Sequence, residues 1–349
     1  MPQRAPRLCL LFPHLHLGGG ETATLLVAER LRETFDLSVC ALAGENNEAP
    51  TLADELAARF DRVAVVAGRG DLYPHLQAAD VVLWYGVVGA VPKALARLPH
   101  RPASVRVVHT DRDLDGVLFH RRYGAAIDAT ICVVPEVARQ IPGAVFVANA
   151  ADPSRLQGER QTLFPASSAK TLGFLGRLVP QKNVAWLIES LAAAGCNLAL
   201  QALDTPLQTT ADLRALAARH GVLDRVRFLP PGRDVGTLLK SVDALVVASR
   251  HEGFPMVVIE AGTVGTPAIA TRVGALPELF GDDVLWLDGD AATGTPTIDS
   301  LRRALGRLDP AWGRRLQARV ERLCDPQVVA ARASAVLHGA LAARRAPAA

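Results

Sequence analysis

Two cations and two acids stand at spacings that can serve one ligand. Arg177 and Lys182 lie in Gly176-Arg177-Leu178-Val179-Pro180-Gln181-Lys182-Asn183, a loop between an apolar run and the helical pattern VAWLIESL. Arginine offers a planar fork for phosphate oxygens and lysine a mobile point charge, so together they can converge on a diphosphate beside that helix. Exposed loop cations are more often simply solvated. Further on, Arg250-His251-Glu252-Gly253-Phe254-Pro255-Met256-Val257-Val258-Ile259-Glu260 follows the apolar run ALVVAS. Pro255 suits the first turn of a helix, which puts Glu252 in the preceding loop and Glu260 inside the helix. Backbone N–H groups around Met256, Val257 and Val258 then have no partner within the helix and can face a phosphate. Glu260, flanked by Val258, Ile259 and Ala261, is awkward as a solvated charge; a ribose diol would give its carboxylate two donors.

Three weaker patterns are read beside these. Gly18-Gly19-Gly20-Glu21 opens a helical pattern after the run LCLLF, and such a loop lets backbone approach a phosphate or a sugar. A plain tight turn is the bland alternative. The dinucleotide fingerprint Gly18-x-Gly20-x-x-Ala23 is disfavoured, because Pro13 to Leu17 separate the run from the first glycine and Ala41-Leu42-Ala43 lacks the ribose-binding acid. Asp111 and Asp113 could hold a divalent ion, but Arg177 and Lys182 already serve a diphosphate, and His14-x-His16 lacks companion ligands. No metal and no cofactor are expected.

Positioning these residues requires parallel sheets. Short Val/Leu/Ala-rich runs alternate with helical periodicity, the rhythm of βαβ units. The first half predicts strands at 7–12, 36–42, 62–67, 81–85, 104–109, 129–134 and 145–148; the second at 171–176, 197–203, 226–229, 244–248, 267–271 and 284–287. A Pro/Ser/Gly-rich break at 152–169 separates them. The expected fold is α/β: two Rossmann-like doubly wound domains, 1–165 and 166–325, facing an interdomain cleft. A helix over 326–349 completes the chain and packs back on the first domain. Ligands of such sheets sit beyond the carboxyl ends of the strands, where all the motifs above fall.

Composition agrees. A length of 349 residues suits two cores, and 50% hydrophobic against 21% charged residues excludes a disordered or low-complexity chain. A net charge of +3 gives no case for a nucleic-acid partner. Cys9, Cys40, Cys132, Cys196 and Cys324 are odd in number and mostly inside apolar runs, which points to a reducing, cytoplasmic setting. No signal-peptide pattern is seen, and no apolar run approaches the ~18 residues of a span. The ten arginines of 301–349, against Asp309, Glu321 and Asp325, admit peripheral contact with an anionic membrane surface at the inner face of the cell membrane; solvated or acid-docked arginines are the plain reading.

The segments EGFPMVVIE, AGTVGTPAIATRVGALPEL, GRLVPQKN and GGGE together resemble the family 4 glycosyltransferases of the GT-B fold, over nearly the whole chain. Asn149 in VANAAD takes the place of a family Asn-Gly turn, though Ala150 departs from the glycine, which leaves the role of Asn149 open. The resemblance implies a retaining transferase that needs no metal and moves a sugar from a UDP- or GDP-sugar to a hydroxyl of a saccharide, lipid-linked saccharide or glycolipid, in bacterial cell-surface polysaccharide, lipopolysaccharide or glycolipid assembly. It implies catalytic roles for His109, Arg177, Lys182 and Glu252. Arg177 and Lys182 would hold the diphosphate, Glu260 the ribose and Glu252 the donor-sugar hydroxyls. Gly253 and Phe254 would shape the sugar pocket, Pro255, Met256 and Val257 would line the donor site, and His109 would reach the sugar from the first domain. Gly19 and Gly20 would lie near the donor phosphates, and the base would be read around 229–233. A sugar-nucleotide epimerase and a non-catalytic nucleotide-sugar binder are the rival readings.

Overall fold

In the computed structural model, residues 4–12, 14–15, 19–43, 52–85, 89–109, 114–232, 234–289 and 294–345 are described. Among them, thirteen strands form two sheets, every pairing parallel. The first sheet contains β1 (Arg7–Phe12), β2 (Asp36–Leu42), β3 (Val63–Val66), β4 (Val81–Tyr85), β5 (Ala103–Val108), β6 (Ala129–Cys132) and β7 (Ala144–Phe146), in the order β3-β2-β1-β4-β5-β6-β7. The second contains β8 (Thr171–Arg177), β9 (Asn197–Leu203), β10 (Val226–Leu229), β11 (Ala244–Val247), β12 (Ala268–Thr271) and β13 (Leu285–Leu287), in the order β10-β9-β8-β11-β12-β13. Each order reverses once, between β1 and β4 and between β8 and β11. Those reversals create crevices at the carboxyl ends of the strands, because the connections on either side leave to opposite faces.

By contacts the chain divides into Met1–Ala150 with Asp325–Ala349, and Ala151–Cys324. Residues 152–165, grouped with the first domain on composition, pack with the second unit. The Gly158 N–H donates to Asp234 (3.0 Å), the Gln161 N–H to Ser241 (2.8 Å), and the Arg227 guanidinium to the Leu163 carbonyl (3.2 Å). Composition marked a weakly apolar stretch, but these hydrogen bonds, not hydrophobicity, decide where it belongs.

Central strands read as continuous apolar runs because both faces are covered. Every residue of β4 and β5 is buried, including Arg106, whose guanidinium lies 4.6 Å from the centre of the Phe119 ring. The helix Pro326–Arg345 packs on the helix Gly19–Leu31 and on β4, β5 and β6, inserting Val329, Ala333, Leu337 and Leu341. Asp325 accepts from the N–H groups of Gln327 (2.8 Å) and Val328 (3.1 Å), capping this helix and separating it from Pro310–Cys324. In the second unit the short helix Met256–Thr263 lies against Pro310–Cys324 so closely that a Cβ on Gly262 would stand 2.5 Å from Val320, and one on Gly313 only 1.9 Å from the Gly265 carbonyl oxygen. Among the described residues no helix is long and apolar enough to cross a membrane.

Candidate active site

Both cation-and-acid motifs follow the two strands that flank the second crevice: the Arg177–Asn183 loop leaves β8, and the Arg250–Pro255 loop leaves β11. Arg177 is the last residue of β8, one position further into the strand than expected, and its side chain is exposed. The chain then turns through a short 3-10 helix, Pro180–Lys182, and enters the helix Val184–Ala194 through Asn183, which is left-handed (φ 57°) and buried. The Arg250 N–H donates to the Gln181 carbonyl (2.8 Å), tying the two loops together. That bond brings Lys182 to Glu252: Nζ donates to Oε1, with only 19% and 12% of the two side chains exposed.

Glu252 is held from beneath. A Cβ on Gly274 (φ +53°) would fall 2.0 Å from the Gly253 carbonyl oxygen and 2.3 Å from that of Glu252, while the Ala275 N–H donates to Gly253 (2.9 Å). Only glycine lets the chain approach so closely in that conformation. Phe254 is buried edge-on against Phe280, with centroids 6.4 Å apart. Pro255 stands one residue earlier than expected: it is the extended residue ahead of the helix, which begins at Met256. The missing proline N–H costs nothing at either position. Met256 and Val257 are half-buried first-turn residues, so their N–H groups have no helical acceptor.

Glu260 is inside this helix and only 3% exposed. Its Oε1 lies 3.2 Å from Arg155 Nε. Burial pushes its carboxyl above the ordinary carboxylate range; Arg155 opposes that shift and Asp152 adds to it. Arg155 and Asp152 were missed from the sequence. No local spacing links them to Glu260, and the only signal was their place just beyond the last strand of the first half.

In the first unit, His109 stands one residue past β5, and the helix Gly19–Leu31 begins at Gly19. Gly20 sits against the His109 imidazole, where a Cβ would lie 3.3 Å from Cγ. The Thr24 hydroxyl donates to the Gly20 carbonyl (2.9 Å) and lies 3.3 Å from His109 Nε2. Having given its one proton to Gly20, Thr24 can only accept from the ring, so His109 carries its proton on Nε2 and presents Nδ1 as an acceptor. Burial depresses the His109 pKa, with Glu21 opposing, and the neutral ring follows. Nδ1 is buried with no hydrogen-bond partner among the described residues. A cavity of about 40 Å³ lies beside it, lined by Thr24, Val133 and Asn149 among others. His14 Nε2 lies 3.8 Å from the Glu21 carboxylate. His16, Gly18, Asp111, Asp113 and Arg233 lie outside the described residues.

The structure thus joins Lys182 with Glu252 and gives Glu260 a cation in the second unit, and joins Gly20 with His109 in the first. Residues 158–305 match the family model described as glycosyl transferases group 1. The D-inositol 3-phosphate glycosyltransferase of Saccharomonospora viridis is 34% identical over 193 residues, 51% of this chain and 42% of that protein. That of Corynebacterium efficiens is 31% identical over 214 residues, 57% of this chain and 48% of that one. The matched stretch therefore spans less than half the length of these relatives. Among solved structures, Anabaena Alr3699/HepE in complex with UDP superposes with a TM-score of 0.76 at 16% identity, covering 95% of this chain and all of that one. A glycosyltransferase from Rickettsia africae does so with 0.76 at 13% identity, covering 97% and 99%. These likenesses define the fold as GT-B. Over residues 158–305, which hold both loops of the second crevice, the chain is thus similar to the group 1 glycosyl transferases.

Proposed function

We propose that the protein transfers a sugar from a UDP- or GDP-sugar to a hydroxyl of a saccharide, lipid-linked saccharide or glycolipid acceptor, with retention and without a metal. The observation that carries this reading is the meeting of Lys182, Glu252 and the start of the helix bearing Glu260 around the β8/β11 crevice. Arg177, Lys182 and the first-turn N–H groups of Met256 and Val257 would clasp the diphosphate, and Glu260 would take the ribose diol. Glu252, with Gly253 and Phe254, would meet the donor sugar; Gly19 and Gly20 would lie near its phosphates. His109, as an Nδ1 acceptor, would take a sugar hydroxyl.

The difficult step is departure of the nucleoside diphosphate from an oxocarbenium-like carbon. The C1–O bond breaks with its electron pair going to phosphate oxygen, where fixed cations stabilise the developing charge. The acceptor oxygen forms its bond to C1 on the same face, and its proton passes to the departing phosphate. A thermal-shift panel of nucleoside diphosphates and their sugars tests the reading: a ligand at 100 times its dissociation constant adds about 2.7 kcal/mol. Stabilisation by UDP or GDP, followed by transfer of labelled sugar to an acceptor extract, is expected. Turnover of the donor to an isomeric nucleotide sugar without any acceptor would replace this reading with an epimerase, and binding with neither transfer nor hydrolysis would leave a binding protein.

The reading includes contact with an anionic membrane bearing the acceptor, within a cell-surface polysaccharide, lipopolysaccharide or glycolipid route. Seven of the ten tail arginines lie on the helices Ile298–Arg307 and Pro310–Cys324. Arg302, Arg303 and Arg319 pair with Asp299, Asp288 and Asp283, while Arg307, Arg314, Arg315 and Arg322 have no acidic partner among the described residues. Pelleting with phosphatidylglycerol vesicles but not with phosphatidylcholine vesicles at moderate salt supports this contact; pelleting with neither, or with both alike, refutes it.

A further inference from the structure

We propose that Arg155 is a positioning residue for the donor site, holding the Glu260 carboxylate in place as the acceptor for the ribose hydroxyls. The inference rests on the ribose role given to Glu260 above and concerns what makes that role feasible. A carboxylate only 3% exposed, on a helix flanked by Val258, Ile259 and Ala261, is costly to keep charged without a partner. Arg155 supplies that partner, its Nε 3.2 Å from Glu260 Oε1. The contact is an ion pair and not a hydrogen bond, since Arg155 Nε has no hydrogen-bond partner among the described residues, so the acceptor positions of the carboxylate stay open to a diol.

The arginine is itself fixed by its neighbours. Its carbonyl accepts from the Val235 N–H at 2.7 Å. The Asp234 carboxylate accepts from Gly158 N–H (3.0 Å), Gly236 N–H (3.0 Å) and the Thr237 hydroxyl (3.1 Å), which staples the segment after Arg155 to the loop before the helix Gly236–Ser241. The fit is close: a Cβ on Gly236 would lie 2.5 Å from the Leu156 carbonyl carbon. On the other side, Asp152 caps the 3-10 turn Pro153–Leu156 by accepting from Ser154 N–H (2.9 Å) and its hydroxyl (2.7 Å). Asp152 is also the like charge that faces Glu260. One cation and one anion thus bear on Glu260, and the cation is the one in contact. Remove it, and burial and Asp152 both act to protonate the carboxyl.

The test is the affinity for UDP and GDP, by calorimetry, from pH 5.5 to 8.5, for the wild-type chain and the variants Arg155→Gln, Arg155→Lys and Glu260→Gln. A protonated Glu260 is a poorer acceptor. Arg155→Gln is therefore expected to move the acid-side loss of affinity upward by about one pH unit, a ~tenfold weaker dissociation constant near pH 6 for near-normal binding at pH 8.5. Arg155→Lys, which keeps a charge, is expected to follow the wild-type profile. Arg155→Gln binding that is weaker by the same factor at every pH overturns the inference, since that is how a purely structural ion pair behaves. Unchanged UDP and GDP affinity in Glu260→Gln at every pH overturns the ribose reading, and the inference falls with it. Should Arg155→Gln not fold, carboxyl ¹³C NMR of the wild-type protein decides. A Glu260 signal that is ionised at neutral pH and moves on adding whichever of UDP and GDP binds supports the inference, and a signal indifferent to both overturns it.

Discussion

On the proposed function, a diphosphate approaching Lys182 would meet a carboxylate already in contact with that lysine. Glu252 pairs with the ammonium, and a phosphate would have to share or take over that charge. On the proposed roles, loss of either cation would remove a charge-assisted contact of about 1.5 kcal/mol or more, so Lys182→Ala and Arg177→Ala are each expected to lower turnover at least about tenfold. Near-normal turnover in both purified variants would refute their roles. Lys182→Ala should be the more damaging for folding too, because it strands Glu252 without its partner, whereas Arg177 is exposed. His109 yields a prediction of another kind. Its pKa is depressed from the ordinary 6.5 by burial, so the unfolded chain binds a proton before the folded one does. Its contribution to stability is complete above about pH 6.5 and is lost as the pH falls through the folded value. Melting temperatures measured across pH 7.5 to 5 should therefore fall less steeply in His109→Gln than in the wild type; parallel curves would remove histidine burial as the cause. Of these residues, Lys182 and Glu252 were singled out in loops that follow strands, and His109 by the family resemblance; the structure pairs the first two and sets Gly20 against the third. Arg155 was not singled out, because its contact with Glu260 spans more than a hundred residues and no local pattern encodes such a pairing.

At the scale of elements, apolar runs bounded by Gly, Pro and charges placed all thirteen strands within one or two residues, since strands buried on both faces need uninterrupted Val, Leu and Ala. The errors lie at the ends. The strand expected at 145–148 is Ala144–Phe146, and the one expected at 129–134 stops at Cys132, where the chain turns toward the proline-led helix Pro135–Gln140. An apolar side chain is equally content in the last strand residue or the first loop residue, so hydrophobicity cannot fix a strand end. What the pattern could not convey is how near the elements come to one another. The helix carrying Glu260 reaches its place because glycines let backbone touch backbone, at Gly274 beneath the Glu252–Gly253 loop and at Gly313 against Gly265. Gly274→Ala and Gly313→Ala are each expected to destabilise the second unit by at least about 2 kcal/mol, from overpacking in both and left-handed strain in the first. Gly306→Ala, with nothing within 4 Å of its Cβ, is the control and should be neutral or better in urea melts.

For the whole chain, the decisive feature is that the polypeptide enters the second unit at Ala151 and leaves it at Cys324, so the last helix returns to the first unit's core. Rossmann-like sheets need helices on both faces, and Pro326–Arg345 covers part of one face of the first sheet with a chain segment made after the second unit is complete. The core of the first unit therefore includes a helix that follows the whole of the second unit in the chain. Ending the chain at 325 should expose the buried surface beneath Val329, Ala333, Leu337 and Leu341 and destabilise the first unit by several kcal/mol, at about 1.5 to 3 kcal/mol for each large side chain withdrawn. A two-unit protein need not unfold in one step. The shortened chain should thus show one transition moved to lower urea and one left near its wild-type midpoint, when followed by fluorescence, with Trp84 in the first unit and Trp186, Trp286 and Trp312 in the second. If the shortened chain does not accumulate as soluble protein, Leu337→Ala is the gentler version. That side chain is fully buried, and its truncation should cost about 2 to 5 kcal/mol in the Trp84 transition alone. An unchanged Trp84 transition in Leu337→Ala would mean that the terminal helix is a passenger on the first unit and not a part of its core.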